Sequence, residues 1–218
     1  MAFVKTYSAP PICKNEILRY AGCKQERDLP LGIIENCLNE ARDMLTYKVC
    51  YLLLDINTFG DNCNFGAFSV KSKMLADNLN GCNKALVFAA TVGIGIDRII
   101  SKYSAVSPSK AVLFQAIGAE RIEALCNTFC NDICDKTGLY ARPRFSPGYG
   151  DFDLSVQKDL FSVLNCQKLI GLTLTDSMLM SPTKSVTAIM GLCEKPQGKS
   201  YNKCKACENT DCAYRGEL

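Results

Sequence analysis

The chain has 218 residues, 48% hydrophobic and 22% charged, the proportions of a globular protein long enough to bury a core without disulfide staples. Its net charge of +3 comes from lysines and arginines dispersed along the chain, which argues against nucleic-acid binding. It has no histidine, which excludes catalytic triads, histidine general bases and histidine metal sites.

In chain order, residues 1–12 read as an irregular lead-in ending at Pro10-Pro11, without a basic-then-apolar leader. Asn15 to Tyr20 predicts a short helix. Leu31 to Thr46 predicts a longer one, with Ile33, Ile34, Cys37, Leu38, Ala41 and Leu45 on one face. Lys48 to Ile56 predicts a strand, and Asn62 to Phe68 a turn leading into another. Ser72 to Leu79 predicts a helix stopped by Asn80-Gly81. Lys84 to Thr91 is a buried strand, turning at Gly93-Ile94-Gly95 into a helix through Ile100. The third glycine of a dinucleotide loop would fall at Arg98, so this is a plain strand-to-helix turn. Pro108 opens a long helix to about Lys136, ended by Thr137-Gly138. Arg142 to Asp153 is a structured loop, Ser155 to Leu164 a helix, and Ile170 to Thr175 and Ser185 to Leu192 strands. The apolar run from Ala85 to Ile100 is broken by Gly93, Gly95, Asp97 and Arg98, so no membrane span and a cytoplasmic location are expected. Strands and helices mix without regular alternation. That predicts an α+β fold, a largely antiparallel sheet with flanking helices, over residues 1–192, and a small metal-binding tail over 193–218.

Fourteen cysteines in a cytoplasmic chain suggest free thiols or metal ligands. Cys126, Cys130 and Cys134 recur every fourth residue, so on a helix the outer two lie about 12 Å apart and cannot share one ion; they read as buried small hydrophobes. Cys13, Cys23, Cys37, Cys50, Cys63, Cys82 and Cys166 are scattered and read as structural. Cys193, Cys204, Cys207 and Cys212 differ, because their lysine-rich segment has no core for them to pack in. A thiolate-only site suits an iron–sulfur cluster, preferred here, or zinc, with Lys195, Lys199, Lys203 and Lys205 offsetting the charge. A tail with incidental thiols is the plainer alternative.

The segment Arg144-Phe145-Ser146-Pro147-Gly148-Tyr149 combines a guanidinium fork suited to a carboxylate, a stiff bend that lets a ligand approach the backbone, and an aromatic face. By residue chemistry alone a tight surface turn with a solvated arginine is the simpler reading. The wider pattern changes the weighting. Arg144, Pro147, Gly148, Tyr149 and Lys158 are followed by Leu174-Thr175-Asp176-Ser177, Met180, Pro182 and Ser185-Val186. In order and spacing this resembles the activation domain of cobalamin-dependent methionine synthase, most strongly over Arg144 to Leu192. Glu16-Ile17-Leu18-Arg19-Tyr20 and Ala90-Thr91-Val92-Gly93 resemble the short, free-standing members of that family.

The resemblance implies S-adenosylmethionine binding. Arg144 would hold the methionine carboxylate, Phe145 and the backbone of Ser146, Pro147 and Gly148 the adenosyl portion, and Tyr149 would pack at the ligand. Glu123 is the candidate for the family's acidic residue on the preceding helix, although the best register puts Ala124 there. No residue of this chain need act as acid or base. The implied activity is reactivation of a methyltransferase by reductive methylation of cob(II)alamin, with the cobalamin supplied by a partner such as methionine synthase and electrons by a flavodoxin or ferredoxin. The alternative is an iron–sulfur redox or docking module for a corrinoid protein, without S-adenosylmethionine turnover.

Overall fold

Two segments are apolar at nearly every position and must be covered on both faces. They are β6 (Lys84–Thr91) and β10 (Ser185–Cys193), adjacent antiparallel strands at the centre of a five-stranded sheet. The computed structural model describes residues 1–23, 25–26 and 29–196. The sheet order is β1-β2-β6-β10-β7, with β1 at Phe3–Tyr7, β2 at Tyr47–Asp55 and β7 at Tyr140–Ala141, every pairing antiparallel. The α+β expectation therefore holds.

The alternation of a strand divides β6 between two cores. Leu86, Phe88 and Ala90 face α1 (Lys14–Tyr20), α2 (Ile33–Arg42), α4 (Gly95–Val106) and α5 (Pro108–Thr137). Ala85, Val87 and Ala89 face α3 (Lys73–Asn78), α6 (Gln157–Leu164), α7 (Cys166–Ile170) and a meander of β3 (Asn57–Phe59), β4 (Asn62–Asn64) and β5 (Ser69–Lys71). The backbone of α5 is the 30-residue helix opened by Pro108 and closed by Gly138 at φ 69°, a left-handed stop that glycine adopts without strain. A two-residue ribbon, β8 (Thr173–Leu174) with β9 (Met180–Ser181), precedes β10. Among the described residues no helix is long and apolar enough to cross a membrane.

Three expectations change. Residues 3–7 are an edge strand rather than irregular, because their backbone pairs with Tyr47–Tyr51 and Lys5 and Tyr7 both grip Asp132 on α5. The strand expected at 170–175 shrinks to β8, because Asn165 takes a left-handed conformation and a new helix, α7, starts behind it. The helix expected from Leu31 to Thr46 covers only Ile33–Arg42.

The N-terminal lead-in is held by one buried side chain. Arg121 on α5 is 1% exposed. Its guanidinium pairs with Glu120 at 2.5 Å and donates to the carbonyls of Pro10 at 2.6 Å and Pro11 at 2.7 Å. Glu120 also accepts from the Cys13 amide at 3.0 Å. Prolines have no amide donor, but their carbonyls remain acceptors, and a buried guanidinium uses both here. Removing one partner of such a pair strands the other charge in the core. Arg121→Met should therefore lower unfolding free energy by about 3–5 kcal/mol in urea titration, and free the segment around Pro10 to early proteolysis.

Candidate functional site

The loop after α5 is built onto the free edge of β10. The Arg142 amide donates to the Gly191 carbonyl at 2.8 Å, and Phe145 and Ile189 exchange two main-chain hydrogen bonds of 2.9 Å each. Between the Ala141–Leu192 and Phe145–Ile189 pairs the loop strand holds one extra residue, a bulge that leaves Arg142 and Phe145 on one face and Arg144 on the other. Phe145 drops into the core beneath α6, 3% exposed, stacked on Phe152 at 5.9 Å and edge-on to Tyr149 at 5.5 Å. Arg144 takes the opposite face and meets α5, where its Nη2 donates to Glu123 at 2.7 Å.

Beyond Phe145 the chain folds back on itself. Tyr149 donates its amide to the Ser146 carbonyl, and Gly148 to the Phe152 carbonyl at 2.7 Å. Gly148 sits at φ 85°, a conformation a side chain would strain. Asp151 then caps a different element: its carboxylate accepts from Ser72 Oγ at 2.6 Å and from the first amides of α3, Lys73 and Met74. The bend is clamped at one end to β10 and at the other to α3, while Gly148 and Tyr149 stay exposed.

Beneath the Arg144 guanidinium lie the cysteines of the α5 stripe. Burial pushes the Cys126 thiol well up, and that of Cys130 to about 11, despite the cation above them. Both are neutral at physiological pH. Burial pulls against the charge of Arg144, and with both thiols neutral the partner that offsets it is the Glu123 carboxylate. One donor, Arg144 Nη1, is buried without a hydrogen-bond acceptor among the described residues.

Glu123 forms part of the wall of a cavity of about 410 Å³ between α5 and the N-terminal segment. Pro10, Pro11 and Cys13 form one side, Glu16, Arg19 and Tyr20 of α1 another, and Ala124, Asn127 and Thr128 extend the α5 wall. The volume is that of a small-molecule site. Glu16 and Arg19 pair at 2.5 Å, and the Arg19 guanidinium lies 4.3 Å from the Tyr20 ring centre. Both signs of charge are thus present around an aromatic face.

The structure brings together Arg144 and Glu123, and it puts Ala124 in the same wall. Glu120, three positions earlier on α5, also borders the cavity but is 3% exposed and bound by Arg121 and the Cys13 amide. Phe145 is not presented to a ligand: its ring is in the core and both its main-chain groups are bound to Ile189, so it anchors the loop. Sequence reading missed Glu16 and Arg19 as cavity residues, although opposite charges three apart around Ile17-Leu18 were a signal of an amphipathic wall. Lys158 and Thr173 to Asp176 lie elsewhere, around a second cavity of about 500 Å³ beside α6 and α7. Ser185 is buried and bonds Thr91 Oγ1 and the Pro182 carbonyl.

Of the expected metal ligands, Cys193 is the last residue of β10, 4% exposed and disulfide-bonded to Cys82, not part of a separate tail. Cys204, Cys207 and Cys212 lie outside the described residues. Among the described residues no group of three or more cysteines and carboxylates could hold a metal ion.

Residues 69–215 match the family described as vitamin B12 dependent methionine synthase, activation domain. A solved structure, the MetH reactivation domain bound to AdoHcy, is similar over 92% of this chain and 81% of that one, with a TM-score of 0.69 and 12% identity. At that identity the likeness speaks for the fold. No curated protein matches.

The Asp151 cap is a pH-sensitive element. Its hydrogen bond from Ser72 leads the effects that hold the carboxyl below its ordinary value, so the cap is intact above the usual aspartate range and is lost only as pH falls through the lowered folded value. Asp151→Ala should remove it at neutral pH, seen as faster hydrogen exchange at the Lys73 and Met74 amides.

Proposed function

For a chain that belongs to the activation domain family of vitamin B12 dependent methionine synthase, we propose that the cavity between α1 and α5 binds S-adenosylmethionine and that the protein supports reductive methylation of cob(II)alamin on a partner. The observation that carries this reading is Arg144: a cation held in place from both ends of its loop, paired on one side with Glu123, and with Nη1 short of an acceptor among the described residues. An amino-acid carboxylate supplies that acceptor in bidentate geometry.

The residues present fit the ligand. Arg144, bound to Glu123 but not itself part of the cavity lining, takes the carboxylate after rotating toward the cavity so that the guanidinium is shared between it and Glu123. Glu16 and Glu123 offer acceptors to an ammonium group and to ribose hydroxyls. The exposed groups of Ser146, Pro147, Gly148 and Tyr149 form the outer rim over the adenosyl part, and Phe145 supports them from below. When bound, S-adenosylmethionine supplies an electrophilic methyl group for a reduced corrinoid. The chain's own share is positioning and exclusion of water, which needs no acid or base and suits a protein without histidine.

The same lack of histidine supports a corrinoid carried by a separate polypeptide, methionine synthase or a similar methyltransferase, with a flavodoxin or ferredoxin as electron donor and a cytoplasmic setting. Residues 1–192 form the S-adenosylmethionine-binding unit in this proposal, and 193–218 a metal segment. Cys204, Cys207 and Cys212 are its candidate ligands, for an iron–sulfur cluster in preference to zinc, Cys193 being taken up by its disulfide to Cys82.

Calorimetric titration of the purified chain with S-adenosylmethionine tests the central claim. Saturable binding is expected, weakened at least about 100-fold in Arg144→Ala, since a charged bidentate contact carries some 3 kcal/mol. A smaller loss is expected in Glu123→Gln. A chain that holds metal but shows no S-adenosylmethionine binding is the redox or docking module instead.

A further inference from the structure

We propose that the second cavity, beside α6 and α7, is a binding site for a free amino acid with an apolar side chain, its carboxylate taken by Lys158 and its ammonium group by Asp176. This cavity shares no lining residue with the one between α1 and α5 and lies on the other face of the sheet. The assignment therefore stands whether or not S-adenosylmethionine binds at α1 and α5.

The cavity holds about 500 Å³, within the range of small-molecule sites. One wall is a face of α6. Lys158, Phe161, Ser162 and Asn165 are spaced i, i+3, i+4 and i+7, so they stand in one stripe along the helix and its last cap. Asn165 ends α6 in the left-handed conformation, φ 52°, and the chain turns there into α7, which adds Gln167 to the wall. Leu172 and Leu174 of the β8 segment join Phe161 in an apolar bed, Leu172 fully buried and the other two half-buried.

The turn that carries Asp176 is held by its own bonds. The Thr175 amide donates to the Leu179 carbonyl and the Met178 amide to the Thr175 carbonyl, both at 2.9 Å, and the Leu179 amide donates to Thr175 Oγ1 at 3.0 Å. Met178 sits at φ 63°, a conformation that costs a residue with a side chain. A turn fixed this firmly gives the Asp176 carboxylate a set place at the cavity.

Charge pairing separates this cavity from the first. There, Glu16, Arg19, Glu120 and Glu123 are each already paired within the chain. Here a cation and an anion border one space, and among the described residues neither Lys158 nor Asp176 makes an ion pair or a side-chain hydrogen bond, with each other or with any neighbour. The side chains of Ser162, Asn165 and Gln167 are unengaged in the same sense. A zwitterion answers both charges at once. A nucleotide or a free phosphate answers Lys158 alone and is repelled by the carboxylate. The hydroxyl and the two amides supply further donors and acceptors to the charged end of the ligand, and its side chain covers the apolar bed.

The test is calorimetric titration of the full chain with methionine, leucine and phenylalanine. Saturable binding of at least one of them, at one site per chain, is expected. On the wild type, the N-acetyl derivative of that amino acid lacks the ammonium group and its amino alcohol lacks the carboxylate, and each should bind at least roughly tenfold more weakly. Lys158→Met should lose the same factor for the amino acid and nothing further for the alcohol. Asp176→Asn should lose it for the amino acid and nothing further for the N-acetyl derivative. Arg144→Ala should bind the amino acid as the wild type does. A loss in that variant puts the ligand in the cavity at α1 and α5 and overturns the proposal, whatever S-adenosylmethionine does. Failure of all three amino acids to bind, binding of AMP in their place, or equal binding of the amino acid and its two derivatives overturns it as well, and these readings need no variant to fold.

Discussion

Two hydrogen bonds between the main chains of Phe145 and Ile189 decide which way Arg144 faces. They bridge Phe145 to the sheet edge beyond a one-residue bulge, and the extended backbone there sends Arg144 and Phe145 to opposite sides. Phe145 is therefore committed to the core under α6 and Arg144 to the face under α5. A slip of one residue would exchange them, burying a guanidinium among phenylalanines and exposing the ring that supports Tyr149. The left-handed turn at Gly148 and the Asp151 cap on α3 close the other end of the loop, so the cation is positioned by backbone on both sides of the bend.

Helix α5 carries two glutamates three positions apart with different fates. Glu120 points into the interior and is consumed by Arg121, which in turn holds the carbonyls of Pro10 and Pro11. Glu123, most of a turn further on, reaches the cavity wall and Arg144. The first builds the pocket by fixing its N-terminal side, and the second furnishes it. Placing a buried ion pair behind the pocket costs desolvation, but the fully used guanidinium gives the lead-in a single seat.

The cysteines sort by environment rather than by spacing. Cys126 and Cys130 are held neutral by burial and serve as small packing groups below a cation. Cys50 and Cys166 are closed into the other core. Cys82 and Cys193 are joined to each other where β6 begins and β10 ends.

Local patterns in the sequence were enough for the elements that carry their own periodicity or stops. The strand at 84–91, the helix from Pro108 to the Gly138 stop and the α+β class are examples, since hydrophobic spacing and capping act within a few residues. The Arg-x-x-Pro-Gly-Tyr loop was also legible, because its order of residue types is itself specific. The edge strand at Phe3–Tyr7, the anchoring role of Phe145 and the meeting of Cys82 with Cys193 were not. Each depends on a partner tens of residues away, and pairing register and burial are settled only when distant segments pack, not by the residues on either side.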